Sequence, residues 1–138
     1  MIFEGIVYKS ERSRFWLAEI PALDLMTQGT TERNALEMIK DALAGLVDRP
    51  GFRCPIQAAE DGRFTLETNE DKTVVALLLR RQRAKSGLTI REVSKLLGAK
   101  SPNAYAAYES GKREPSISKA EELLSVVSKQ DRLRLKVG

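Results

Sequence analysis

Residues 87–113, GLTIREVSKLLGAKSPNAYAAYESGKR, constrain the fold of this chain more than any other stretch. Their punctuation predicts two short helices joined by a tight turn. Gly87 can take the left-handed conformation that closes a preceding helix, and Thr89 can cap the next one. Thr89-Ile90-Arg91-Glu92 fits a capping box, in which the hydroxyl and the carboxylate each satisfy a backbone donor at the helix start. Val93, Leu96 and Leu97 give this first helix an apolar stripe, and Gly98 ends it. Ser101-Pro102 opens a second helix, because Ser is a favoured N-cap and Pro is favoured at the first helical position. Gly111 stops that helix, and Lys112-Arg113 follow at once.

Two helices joined by a few residues containing Gly have the helix-turn-helix layout, in which the second helix reads the DNA major groove. An ordinary helical hairpin packed in a core would share this spacing. The residues GLTxxEVxxLLG…YESGKREPS argue against it, since they resemble the repressor-like helix-turn-helix family of phage repressors and their bacterial regulator relatives. There are two departures. Ile90 stands at the second position of the first helix, often Gln in such proteins, and the turn is one residue longer through Ala99-Lys100-Ser101. The family's base contacts therefore do not transfer position by position.

Sequence reading needs side chains that reach base edges from the start of a helix, with cations and backbone donors fixing the duplex. Asn103 is the best base reader, since its amide matches adenine N6 and N7 bidentately. Ala104 lies beside it. Lys100 and Ser101 sit at the same end and can meet phosphate or base, while Thr89 can hydrogen-bond a phosphate at the start of the first helix. Lys112 and Arg113 suit phosphates just beyond the reading helix. Tyr105 and Tyr108 share a helix face, and burial against Val93 and Leu97 fits them better than base contact.

The charge distribution agrees with a basic, DNA-facing half. Residues 1–71 hold 8 Lys/Arg against 13 Asp/Glu (−5), and residues 72–138 hold 15 against 6 (+9), which together make the chain's +4. An acidic half joined to a basic half suggests two functions on one chain. With no His, histidine metal sites and Ser-His or Cys-His catalysis are excluded. Cys54 has no partner for an internal disulfide and reads as a small buried hydrophobe. No apolar run approaches a membrane span and the start, MIFEGIVYKSE, lacks a signal pattern, so a cytoplasmic protein without membrane association is expected.

Toward the N-terminus, residues 2–9 and Phe15 to Ile20 read as strands forming a hairpin, and Leu23 to Gln28 as a third strand closed by Gly29. Thr30 or Thr31 caps a helix whose apolar positions Ala35, Leu36, Ile39, Leu43, Leu46 and Val47 recur at helical spacing. Asp48 to Gly51 break it, residues 52–63 carry no assignment, and Phe64–Thr68 is a fourth strand. Phe15 and Trp16 point to opposite faces, so one is expected in the core and the other at a surface or interface. The expected fold class is α+β: a small antiparallel sheet with one helix, then an all-α helix-turn-helix bundle.

The segment IPALDLMTQGTTERNALEMIKDAL, with Pro21, Leu23, Thr27, Gln28, Gly29 and Thr31 in the pattern P-x-L-x-x-x-x-T-Q-G-x-T, resembles the N-terminal domain of HicB-type antitoxins. That family's commoner Pro-Gly-Cys turn is missing and the loop is about a residue shorter. The resemblance implies a partial ribonuclease-H-like fold without nuclease activity, on the HicB branch that carries a C-terminal helix-turn-helix. The strand-region acids Glu4, Glu19 and Asp24 show no spacing for a two-metal cluster, so neither catalysis nor a metal is expected.

Residues 69–73 read as a hinge, giving domains 1–70 and 71–138. Val74 to Ser86 is a helix that begins apolar and ends basic (RRQRAK), where the cations face either phosphates or solvent. Pro115-Ser116 opens a last helix whose Ile117, Ala120, Leu123, Leu124 and Val127 can close the bundle. The alternating tail Arg132–Val137 reads as a strand or arm, or as a continued basic helix. The expected whole is a cofactor-free antitoxin that blocks a small basic HicA-type ribonuclease and represses its own promoter on double-stranded DNA. It is expected to be at least a homodimer, paired through its sheet or its tail. A stand-alone ligand-sensing repressor is the alternative.

Overall fold

The computed structural model describes residues 1–128, and the tail Arg132–Val137 lies outside the described residues. The chain divides into two compact units, Met1–Glu70 and a second beginning at Asp71. The architecture is α+β as expected, an antiparallel sheet with a helix followed by a helical unit.

In the first unit β1 (Ile2–Lys9), β2 (Trp16–Ile20) and β3 (Leu25–Gly29) form the expected meander. The third strand starts later than its patterning predicts. Pro21–Leu23 make a single 3-10 turn instead, since Pro cannot donate to a ladder and its fixed φ suits a turn start. Asp24 closes that turn at φ 49°, a left-handed conformation that Asp tolerates because its short side chain can bond locally.

Helix α1 (Glu32–Val47) is capped by Thr31, whose hydroxyl accepts the Asn34 N–H at 3.0 Å. Its buried positions Ala35, Ile39, Leu43 and Val47 recur every four residues. They cover the face of β1 and β2 that carries Phe3, Val7, Ala18 and Ile20. Leu46, counted in the apolar stripe from sequence, stays exposed.

The unassigned stretch contains a fifth strand. β4 (Ile56–Ala58) pairs with β5 (Arg63–Glu67), and β5 pairs with β1, so the sheet order is β3-β2-β1-β5-β4 with β1 central. Three residues are too few to display a two-residue alternation, which is why β4 left no mark in the pattern. The expected split of Phe15 and Trp16 does not occur, since both are half-buried. Trp16 pairs with Lys9 and Gly29 at the very end of the ladder, and Phe15 lies before it under the Arg14 guanidinium, 5.5 Å from the ring centre.

In the second unit α2 (Asp71–Ser86) starts three residues before Val74; Val74 to Leu79 are all buried, while Ala84 and Lys85 near its end are exposed. Helices α4 (Pro102–Glu109) and α5 (Ile117–Val127) pack on it, and α3 (Ile90–Leu96) packs on α4 and α5. Leu79, Val93, Tyr105, Leu123 and Val127 are among the fully buried residues. Leu96 and Ile117, expected in the core, are 63% and 61% exposed. Leu96 is the last residue of α3 and Ile117 the first of α5, beyond the reach of the helices packed against their middles.

Candidate nucleic-acid interface

Helices α3 and α4 are set by their caps. The Thr89 hydroxyl accepts the Glu92 N–H at 3.1 Å and the Glu92 carboxylate accepts the Thr89 N–H at 3.2 Å, completing the expected capping box. Thr89 therefore offers a phosphate its hydroxyl proton rather than its backbone donor. Gly98, at φ 70°, turns the chain after α3, and the Ser94 hydroxyl reaches the Pro102 carbonyl at 3.5 Å. Ser101 caps α4 by accepting the Asn103 N–H at 3.2 Å. Pro102 has no N–H, and that of Ala104 goes to the Ser101 carbonyl at 3.3 Å. The start of α4 thus presents side chains, not free amides.

Of the candidate residues, Thr89, Lys100, Asn103, Ala104, Lys112 and Arg113 are exposed and Ser101 is half-buried. Lys100 lies in the turn before α4 and Lys112 and Arg113 in the loop after it, so cations flank both ends of the helix. Arg113 is held in place, its N–H bonded to the Ala107 carbonyl at 3.0 Å and its guanidinium 5.2 Å from the Tyr108 ring centre. Tyr105 and Tyr108 turn inward and are buried, as their spacing predicts.

The basic end of α2 holds α4 from behind. Arg83 Nε lies 3.0 and 2.9 Å from the two carboxylate oxygens of Glu109, and Nη2 lies 2.6 Å from Oε1. Arg83 Nη1 also donates to the Leu88 carbonyl, and Arg80 Nη1 to the Glu109 carbonyl, each at 2.9 Å. Glu109 is 4% exposed. Its hydrogen bonds raise the Arg83 pKa although burial opposes this. Burial first, and then the Glu109 carboxylate, pushes the Tyr105 phenol well above its usual range.

Two of the arginines read from sequence as phosphate- or solvent-facing are therefore positioning residues. The usable signal was Glu109 itself, four residues after Tyr105 and so on the same inward face, where a carboxylate requires a cation.

Residues 79–127 match the family model described as Helix-turn-helix. The second unit carries a helix-turn-helix. The matched span contains the Arg83–Glu109 pair and all seven candidate contact residues, and it supports DNA-binding transcription regulation. The match covers roughly a third of the 138 residues. No curated protein and no solved structure matches the chain.

The first unit offers little reactive chemistry. The Cys54 thiol points at the Lys40 carbonyl at 3.8 Å, and burial pushes its pKa up, which keeps it protonated and a poor nucleophile. Among the described residues no group of three His, Cys, Asp or Glu side chains could hold a metal ion. Among them, too, no helix is long and apolar enough to cross a membrane.

Proposed function

We propose that the protein is the antitoxin of a toxin–antitoxin pair, binding a small basic HicA-type ribonuclease through residues 1–70 and repressing its own operon through the helix-turn-helix. The observation that carries this reading is the pairing of an acidic sheet-and-helix unit with a basic DNA-binding one. Residues 1–71 carry −5 and residues 72–138 carry +9. A ribonuclease that grips messenger RNA needs a basic surface, and an acidic one attracts it and competes for it. The resemblance of residues 20–43 to HicB-type antitoxins supports the same partner.

On the DNA side, Asn103 and Ala104 face the bases, Ser101 and Lys100 meet base or phosphate, and Thr89, Lys112 and Arg113 bind phosphates. One helix-turn-helix places few side chains on bases, so the working species pairs two reading helices about 34–36 Å apart, one turn of duplex. A homodimer or larger assembly results.

The test mixes the full chain with the product of the adjacent small basic gene and a labelled messenger RNA. Protection of the RNA at stoichiometric protein is the expected result, together with binding of the upstream promoter. Promoter binding with undiminished RNA cleavage would leave a stand-alone repressor, the competing reading.

A further inference from the structure

We infer that α4 selects A·T base pairs, with Asn103 reading adenine and the methyl groups of Ala104 and Ala107 lying against thymine methyls. The inference rests on the DNA-binding reading above and extends it by naming the bases.

The argument is one of elimination by chemistry. Guanine is read in the major groove by Arg or Lys on O6 and N7, and cytosine by a carboxylate accepting from N4. Helix α4, PNAYAAYE, contains no Arg or Lys. Its one carboxylate, Glu109, is turned inward and held by Arg83 at 2.6–3.0 Å, so it cannot meet a base. Tyr105 and Tyr108 are buried in the bundle. Lys100 stands on the turn outside the helix, so a guanine it reached would flank the bases under α4.

What remains outward is the Asn103 amide, exposed and with no side-chain hydrogen bond among the described residues, since the Ser101 cap engages only its backbone N–H. That amide carries a donor and an acceptor side by side, the complement of adenine N6–H and N7. Ala107 follows Asn103 by four residues and Ala104 by three, so the three share one helical face. Ala104 is exposed and Ala107 half-buried. Side chains this short let the backbone approach the groove floor, and their chemistry matches the thymine methyl alone among major-groove features. Ser110, one turn further on, donates its hydroxyl hydrogen to the Ala107 carbonyl at 3.2 Å and so offers a base only an acceptor.

The test uses the full-length protein and selection of bound duplexes from a random library, followed by binding of the selected duplex at fixed salt. Replacing a contacted core thymine by deoxyuridine removes only the C5-methyl and is expected to weaken binding about 4-fold per thymine, the value of one buried methyl-sized group. The same replacement in the flanks should change nothing. Asn103→Ala is expected to cost about 10-fold on the selected duplex and little on an unrelated one. Its exposed position leaves the fold intact, which circular dichroism verifies. Selection of G·C pairs under the helix, or deoxyuridine having no effect anywhere, overturns the inference. So does salt-sensitive binding without sequence preference, which leaves the DNA-binding reading standing. A folded protein that binds no duplex at low salt overturns both.

Discussion

Arg83 on α2 grips both carboxylate oxygens of Glu109 at the last turn of α4, across 26 residues of sequence and at 2.6–3.0 Å. Arg80 adds a bond to the Glu109 carbonyl, placing two guanidinium groups at the negative end of the α4 dipole. Helix α4 is thereby fixed by the core helix behind it. Arg80 and Arg83 are thus engaged on α4, whereas Lys85, at the end of α2, is exposed.

Removing one member of that pair strands the other. Glu109→Ala should cost the second unit about 3 kcal/mol, because Arg83 loses its counter-charge in a mostly buried place. Replacing both residues together by apolar ones of similar volume, Arg83→Met with Glu109→Leu, should recover much of the loss. Urea unfolding followed by helical circular dichroism measures it. A single substitution as mild as the double one would show that the pair does not anchor α4.

Tyr105 makes the unit sensitive to alkali. Its hydroxyl is buried with no hydrogen-bond partner among the described residues, and its phenol titrates above the ordinary value of 10.0. A folded pKa above the unfolded one means the native state holds the proton more tightly. The resulting stability is fully present below pH 10 and declines as pH rises beyond it. Tyr105→Phe should be neutral or slightly stabilising at pH 7, since it deletes an unpaired polar atom, and should flatten the slope above pH 10. Melting temperatures of the two proteins from pH 7 to pH 11 decide it.

Phosphate and base contacts should separate by their salt dependence. Lys112→Ala with Arg113→Ala should weaken every duplex alike and reduce the salt slope by about 2. Asn103→Ala should leave that slope unchanged and reduce discrimination among sequences. Fluorescence anisotropy at several salt concentrations reads both, and identical behaviour of the two variants would mean that the reading face is misassigned.

Gly5 on the central strand has no room for a side chain. A Cβ there would stand 2.6 Å from the Glu19 carbonyl oxygen and closer still to the Phe64 ring. Gly5→Ala should therefore destabilise the first unit by about 1–3 kcal/mol through overpacking. Trp16, the chain's one tryptophan, lies in that unit, so its fluorescence reports the first unit alone, whereas the helical signal sums α1 with the helices of the second. An unchanged tryptophan transition would contradict the close approach.

The sequence by itself determined those features whose partners lie within one turn of chain. Thr89 with Glu92 and Ser101 with Asn103 are local hydrogen bonds that residue types three or fewer apart announce, while the cap of α1 reads from sequence as Thr30 or Thr31 and falls on Thr31. The period of the apolar residues likewise sufficed for α1, for α+β as the class and for the inward turn of Tyr105 and Tyr108. Tertiary structure alone decided the rest. β4 exists because β5 offers it a ladder, and Leu96 and Ile117 are exposed because packing ends before the helices do. Glu109 shares the inward face of Tyr105 by helical spacing, but its partner Arg83, 26 residues earlier, is brought to it only by the fold. In each of these cases the deciding energy comes from a neighbour that sequence separation conceals, and a pattern read along the chain carries no record of which distant residue will arrive.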